Sequence, residues 1–113
     1  MKKKYNKKKE KPIIMDEFRQ YKKERHPKYV GLRVKKDFLF LSLTHKPPRG
    51  KEKEYIRLKY NPDSCDESKA YISTKVERDT RDNFGARKKN MRLSDSDKKT
   101  VQRFFAKNRK GKN

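Results

Sequence analysis

The hydrophobic positions of this chain change their period near residue 28, and the change separates the predicted elements. Ile14, Phe18 and Tyr21 are spaced four and three residues apart, which places them on one face of a helix that begins near Pro12. A His-Pro dipeptide at 26–27 would end this helix, because the residue before a proline is pushed out of helical geometry. The pattern therefore predicts an N-terminal helix.

From Tyr29 onward the apolar residues alternate with polar ones, as in a half-buried strand. Val30, Leu32 and Val34 have this spacing, and a second apolar run from Phe38 to His45 follows a short polar connection. These two segments predict an antiparallel hairpin.

The second half of the chain predicts two further strands and a closing helix. A loop with two prolines and a glycine at 46–53 precedes an alternating strand at 55–60, and another strand is predicted at 70–76. Residues 77–92 are highly charged and are expected to be irregular, with Phe84 as a buried plug.

The closing helix is predicted from its capping residue and its apolar stripe. Ser94 is the N-cap candidate, two acids follow it in the first turn, and Val101, Phe104 and Phe105 form the apolar stripe. The order predicts an α+β fold, a four-stranded antiparallel sheet flanked by an N-terminal and a C-terminal helix. We expect one domain over residues 12–108, a basic flexible arm at 1–11 and a basic tail at 109–113, because like-charge blocks cannot bury apolar area.

The charge balance narrows the class of partner. The 113 residues hold 36 Lys and Arg against 15 Asp and Glu, a formal net charge of +21. RNA is the expected partner, with DNA as an alternative, because each neutralised phosphate releases condensed counterions. The expected nucleic-acid-binding residues are basic or aromatic: Lys2, Lys3, Lys4, Lys7, Lys8, Lys9, Tyr55, Lys59, Lys75, Lys98, Lys99, Arg103 and Lys107.

Several other kinds of site lack the residues they need. The two His, one Cys and scattered acids show no metal-ligand spacing, and the four glycines are isolated, so we expect neither a metal nor a cofactor. Asp66 and Glu67 beside the lone Cys65 would raise the pKa of its thiol, which argues against a cysteine nucleophile. A lone Cys and the lack of a long apolar stretch lead us to expect a cytoplasmic protein without a membrane partner.

RNA cleavage without a metal needs only a base, an acid and cations, since the 2′-hydroxyl of the substrate is the nucleophile. His45 lies at the predicted end of the second strand, and Arg57 and Tyr71 lie on the outer faces of the next two. We therefore regard His45, Arg57 and Tyr71 as the candidate catalytic residues. The alternative is that Arg57 and its neighbours form an ordinary solvated sheet face and that His45 is a surface histidine.

In size, charge and element order, residues 12–107 resemble the RelE-like and barnase-like toxin ribonucleases of bacteria. Members of these families arrange His, Tyr, Arg, Lys and Glu around a scissile phosphate, and the resemblance implies His45, Arg57 and Tyr71 as the best-matching residue types. It also implies an antitoxin as a partner.

Two functions remain in competition. The first is an RNA-binding, metal-independent endoribonuclease of toxin or mobile-element type. The second is a non-catalytic nucleic-acid or nucleoprotein binder, either ribosome-associated or a phage or plasmid inhibitor of a CRISPR-type effector.

Overall fold

The computed structural model describes residues 12–107, which form an antiparallel sheet and a helix that packs against it. Its elements are β1 (Ile13–Tyr21), β2 (Lys28–Val34), β3 (Asp37–Thr44), β4 (Tyr55–Arg57), β5 (Tyr71–Ser73), β6 (Glu77–Thr80), β7 (Phe84–Arg87) and α1 (Asp95–Lys107). Short 3₁₀ turns precede β4 and β7. The predicted arm at 1–11 and the predicted tail at 109–113 lie outside the described residues.

The strand order is β4-β5-β3-β2-β1-β7, and β3 carries two partners on one edge. Its first half, Asp37–Phe40, pairs with β6, and its last two residues, Leu43 and Thr44, pair with β5. β6 and β7 are joined by a single 3₁₀ turn although they lie beside β3 and β1 respectively. The chain therefore crosses one face of the β1–β3 sheet between them.

The predicted four-stranded sheet with two flanking helices is wrong, because the N-terminal segment is a strand. β1 pairs with β2 and has a bulge between Ile14 and Glu17, where Asp16 adopts a φ of 47°. Phe18 and Tyr21 are three residues apart and belong to different clusters on opposite faces of the sheet, with 0% and 8% exposure. A strand that is buried on both faces thus mimics the spacing of a helix.

The other predicted elements differ from the structure in extent. The hairpin at 29–45 is present as β2 and β3, and the closing helix is present as α1. β4 and β5 are only three residues each, shorter than the strands predicted at 55–60 and 70–76. Residues 77–92 are not irregular throughout, since they contain β6 and β7, while Phe84 is buried as predicted.

Two apolar clusters lie on the two faces of the sheet. The larger cluster joins the sheet to α1 and defines what we call the helix face; it includes Phe18, Tyr29, Leu39, Leu41, Ile72, Val101 and Phe105. The smaller cluster lies under the β6–β7 crossing and defines the inner face; its buried members are Tyr21, Val30, Phe38, Phe40 and Phe84.

Hydrogen bonds in the first turn of α1 cap the helix and fix it to the segment that follows β4. The Ser94 hydroxyl accepts a bond from the Asp97 backbone N–H at 3.2 Å, which confirms the predicted N-cap. The buried Asp97 carboxylate in turn accepts from the backbone N–H groups of Lys59 and Tyr60. The segment after β4 therefore leaves the sheet to meet the helix.

Asp79 fastens β6 to β1 across the inner face. Its carboxylate accepts hydrogen bonds from the Tyr21 hydroxyl, from Lys23 Nζ at 3.0 Å and from Asn83 Nδ2 at 2.9 Å. Partial burial by itself would raise the pKa of Asp79, but these hydrogen bonds outweigh burial and lower the pKa to about 2.

The lowered pKa of Asp79 predicts a specific acid sensitivity. A carboxylate with a depressed folded-state pKa stabilises the protein fully above its unfolded pKa near 4, and this contribution is lost as pH falls toward 2. We expect urea unfolding at pH 5, 4, 3 and 2 to show a steeper loss of stability in the wild type than in Asp79→Asn. The exposed Asp82→Asn should behave as the wild type does, and parallel pH curves for Asp79→Asn and wild type would contradict this assignment.

Within the described part of the chain, no helix is both long and apolar enough to cross a membrane.

Candidate functional site

A small cleft lies at the end of the sheet where β1 turns into β2 and where β3 ends. Its volume is about 170 Å³. The turn between β1 and β2 contributes His26, the end of β3 contributes Thr44 and His45, and the segment after β7 contributes Lys88. The remaining wall comes from the loop between β4 and β5, which includes Asp66.

Local hydrogen bonds hold the two histidine-bearing segments. The Gln20 side-chain amide donates to the backbone carbonyl of Arg25 at 2.7 Å, which fixes the turn just before His26. At the end of β3, the Thr44 hydroxyl accepts from the backbone N–H of Lys46 at 3.2 Å and closes a tight turn around His45. Both imidazoles are therefore carried by turns anchored to strands.

His45 is paired with a carboxylate. Its Nε2 lies 3.1 Å from Oδ2 of Asp66, and the side chains are 54% and 32% exposed, so the pair is open to a ligand. Hydrogen bonds from the Ser68 hydroxyl and the Ser68 backbone N–H, together with His45, keep the pKa of Asp66 below its ordinary value. An ionised Asp66 accepts a hydrogen bond from the imidazole of His45 and fixes its orientation.

The loop that carries Asp66 is held by its own polar side chains. Asn61 Oδ1 accepts from the Asp63 backbone N–H at 2.9 Å, and Asn61 Nδ2 donates to the Ser68 carbonyl at 2.9 Å. A bridge between Asp63 and Met91 connects the loop to the segment that carries Lys88. Asp66 and Lys88 therefore line the same cleft.

A second imidazole lies next to His45. The ring centroids of His26 and His45 are 6.3 Å apart, and the rings are nearly perpendicular at 77°. This separation lets each imidazole reach a different oxygen of one phosphodiester, since each contact needs only about 2.6–3.2 Å. With Lys88 as a cation, the cleft holds the three kinds of group that phosphodiester cleavage without a metal requires.

Within residues 12–107 no cluster of three or more His, Cys, Asp or Glu side chains is arranged to hold a metal ion.

The structure aligns two of the three predicted catalytic residues beside the cleft. Arg57 on β4 is in register with Tyr71 on β5, and Tyr71 is in register with Thr44 on β3. Cross-strand neighbours share a face, so Arg57, Tyr71 and Thr44 form a row that ends beside His45. The partners of His45 itself are Asp66 and His26, which were not in the predicted set.

The predicted binding residues on β4 and β5 have diverse surroundings. Tyr55 is half-buried opposite Ser73, and burial, reinforced by Glu77, raises the pKa of its hydroxyl. Lys59 and Lys75 are exposed but lie beyond the ends of β4 and β5.

Within residues 12–107, one of the four predicted binding residues on α1 has an acidic partner. Lys98 forms an ion pair with Asp16 at 2.8 Å, and this contact raises the pKa of the lysine. Lys99, Arg103 and Lys107 are exposed on the helix. The predicted binding residues of the arm lie outside residues 12–107: Lys2, Lys3, Lys4, Lys7, Lys8 and Lys9.

Sequence reasoning missed His26, Asp66 and Lys88. His26 was interpreted as a residue that ends a helix, and Asp66 only as a neighbour of Cys65. The signals that were present are the His-Pro dipeptide, which lies just before β2, and the Asn- and Asp-rich segment at 61–68, which has the composition of successive side-chain-bonded turns.

Neither a protein-family model nor a curated protein sequence matches this chain.

Proposed function

We propose that this protein binds RNA and cleaves it without a metal ion in the cleft between His26 and His45. The observation that carries the proposal is the contact between His45 Nε2 and the Asp66 carboxylate, with the His26 ring 6.3 Å from the His45 ring. A binder that relied on charge alone would not need a carboxylate-oriented imidazole beside a second one.

The proposed reaction uses the 2′-hydroxyl of the substrate as nucleophile. His45 takes the hydroxyl proton, the 2′-oxygen bonds to the adjacent phosphorus, and the bond from phosphorus to the 5′-oxygen breaks. His26 gives a proton to the departing 5′-oxygen, and Lys88 stabilises the charge on the phosphorane oxygens. The products are a 2′,3′-cyclic phosphate and a 5′-hydroxyl.

The role of each histidine follows from its partner. Asp66 orients the imidazole of His45, so we assign His45 as the base and His26 as the acid. Arg57 and Tyr71 belong to the cross-strand row that ends beside His45, and they would contact the RNA on one side of the scissile bond. The exposed lysines and arginines supply the counterion release that makes RNA binding favourable at low salt.

Incubation of the full chain with labelled single-stranded RNA in EDTA tests the proposal. We expect fragments that end in a 2′,3′-cyclic phosphate, and no cleavage of the matched DNA strand, which lacks the nucleophile. RNA that is bound but stays intact would overturn the ribonuclease proposal and favour the non-catalytic binder. Cleavage that EDTA abolishes would overturn the metal-independent mechanism.

A further inference from the structure

A second cleft, of about 420 Å³, lies on the inner face, where β2 passes into β3. Four cationic residues line it: Arg19, Lys22, Arg33 and Arg81. They come from β1, the turn after β1, the end of β2 and the 3₁₀ turn before β7. We call this the basic cleft.

The 3₁₀ turn that completes the basic cleft is fixed to both sides of the sheet. The Arg81 backbone N–H donates to the Lys36 carbonyl at 2.9 Å, and the Lys22 backbone N–H donates to the Asn83 carbonyl at 2.7 Å. The cations are therefore held together by backbone hydrogen bonds at the β6–β7 crossing.

Among the residues that the structure describes, a carboxylate neutralises only one of the four cations. Arg19 donates to Glu17 and to the Gly85 carbonyl, and its guanidinium lies 5.3 Å from the centre of the Phe38 ring. No carboxylate of residues 12–107 lies within ion-pairing distance of Lys22, Arg33 or Arg81. One acid, Asp82, also lines the cleft, so positive charge remains in excess.

The chemistry of the lining favours phosphate over a base. The floor is formed by Phe38 and Phe84, which are only 4% and 6% exposed and offer little ring surface for stacking. Guanidinium groups pair with phosphate oxygens through two parallel hydrogen bonds. Contacts of this kind position a nucleic acid without reading its sequence.

The basic cleft and the cleft between His26 and His45 lie at opposite ends of β3. Phe38 and Thr44 are six residues apart, which corresponds to about 20 Å along a strand. We propose that the basic cleft binds the phosphodiester backbone of the RNA whose scissile bond lies between His26 and His45. This inference rests on the proposed function and adds that the substrate is a strand of several nucleotides rather than a dinucleotide.

The test measures binding of an RNA with 2′-O-methyl groups, which cannot be cleaved and so gives a result whether or not the protein is a nuclease. In the full chain, Arg33→Gln together with Arg81→Gln should make the plot of log K against log salt less steep. The slope should decrease in magnitude by about 1.4, which is about 0.7 for each lost contact with a single strand. Neither substitution removes an ion pair. An unchanged melting temperature would confirm that folding is intact.

A matched control removes the same charge from the loop before β4. Arg49→Gln together with Lys51→Gln, both exposed and outside the basic cleft, should change the slope clearly less. Equal changes of slope in the two double variants would show that net charge alone governs binding, and would contradict the basic cleft as a binding site. An unchanged slope in the Arg33 and Arg81 variant would contradict it as well. If the slope becomes shallower in the Arg33 and Arg81 variant but the wild type cleaves no RNA, the basic cleft is supported as a binding site and only the ribonuclease proposal is refuted.

Discussion

Replacing His45 by alanine should lower the rate of RNA cleavage by about 10²–10⁴-fold, because the substitution removes the group that takes the 2′-hydroxyl proton. This corresponds to about 2.7–5.5 kcal/mol of transition-state stabilisation. Single-turnover cleavage of labelled RNA in EDTA measures the effect. RNA affinity should change little, since one imidazole adds little to the counterion release from 36 Lys and Arg.

Three further variants separate the proposed roles. His26→Ala should cause a comparable loss because it removes the acid, and Asp66→Asn should also slow cleavage because an amide that donates to Nε2 of His45 holds the imidazole in the wrong tautomer. Glu67→Gln removes a charge from the exposed neighbour of Asp66 and should retain the wild-type rate. Full activity in His45→Ala would exclude this residue from the mechanism.

The sequence predicts β2, β3 and α1 from three different signals. β2 was assigned to a strand by the alternation of its apolar residues and β3 by a continuous apolar run, and α1 was found because a serine cap precedes an apolar stripe. β1 was assigned to the wrong element because its two buried aromatics, Phe18 in the helix-face cluster and Tyr21 in the inner-face cluster, are three residues apart, which is also the spacing of a helix. The bulge at Asp16 further breaks its alternation.

β6 was missed because polar contacts, more than buried side chains, stabilise it. Its residues are exposed or half-buried, and it is held by ladder bonds to β3, the Arg78–Asp37 ion pair and the bond from Tyr21 to Asp79. A strand of this kind has no hydrophobic period to detect. Its presence depends on the partner strand, which local sequence does not encode.

Part of the candidate site could be predicted from the sequence. His45 could be identified from its place at the end of an apolar strand, and the register of Arg57 with Tyr71 follows from the pairing of β4 with β5. The contacts of His45 with His26 and Asp66 depend on how two loops fold back over the end of the sheet. Sequence spacing gives no measure of that distance.

Truncating the residue that docks α1 should have the largest effect on stability. Phe105 is 5% exposed and contacts the helix-face cluster, and its ring lies 6.0 Å from that of Tyr29. Phe105→Ala should therefore lower the free energy of unfolding by about 3–5 kcal/mol, measured by urea denaturation. Phe104→Ala is the matched control and should cost less, because Phe104 is only partly buried.

The same contact can be tested from the sheet side at Gly31. A Cβ added to Gly31 would lie 2.5 Å from two carbons of the Phe105 ring, so Gly31→Ala should displace the ring and destabilise the fold by about 1–3 kcal/mol. In the Phe105→Ala background the obstructing ring is gone, so Gly31→Ala should then cost little and the two effects should not add. Additive losses in this double-mutant cycle would show that Phe105 does not pack on Gly31 and that α1 contacts the sheet elsewhere.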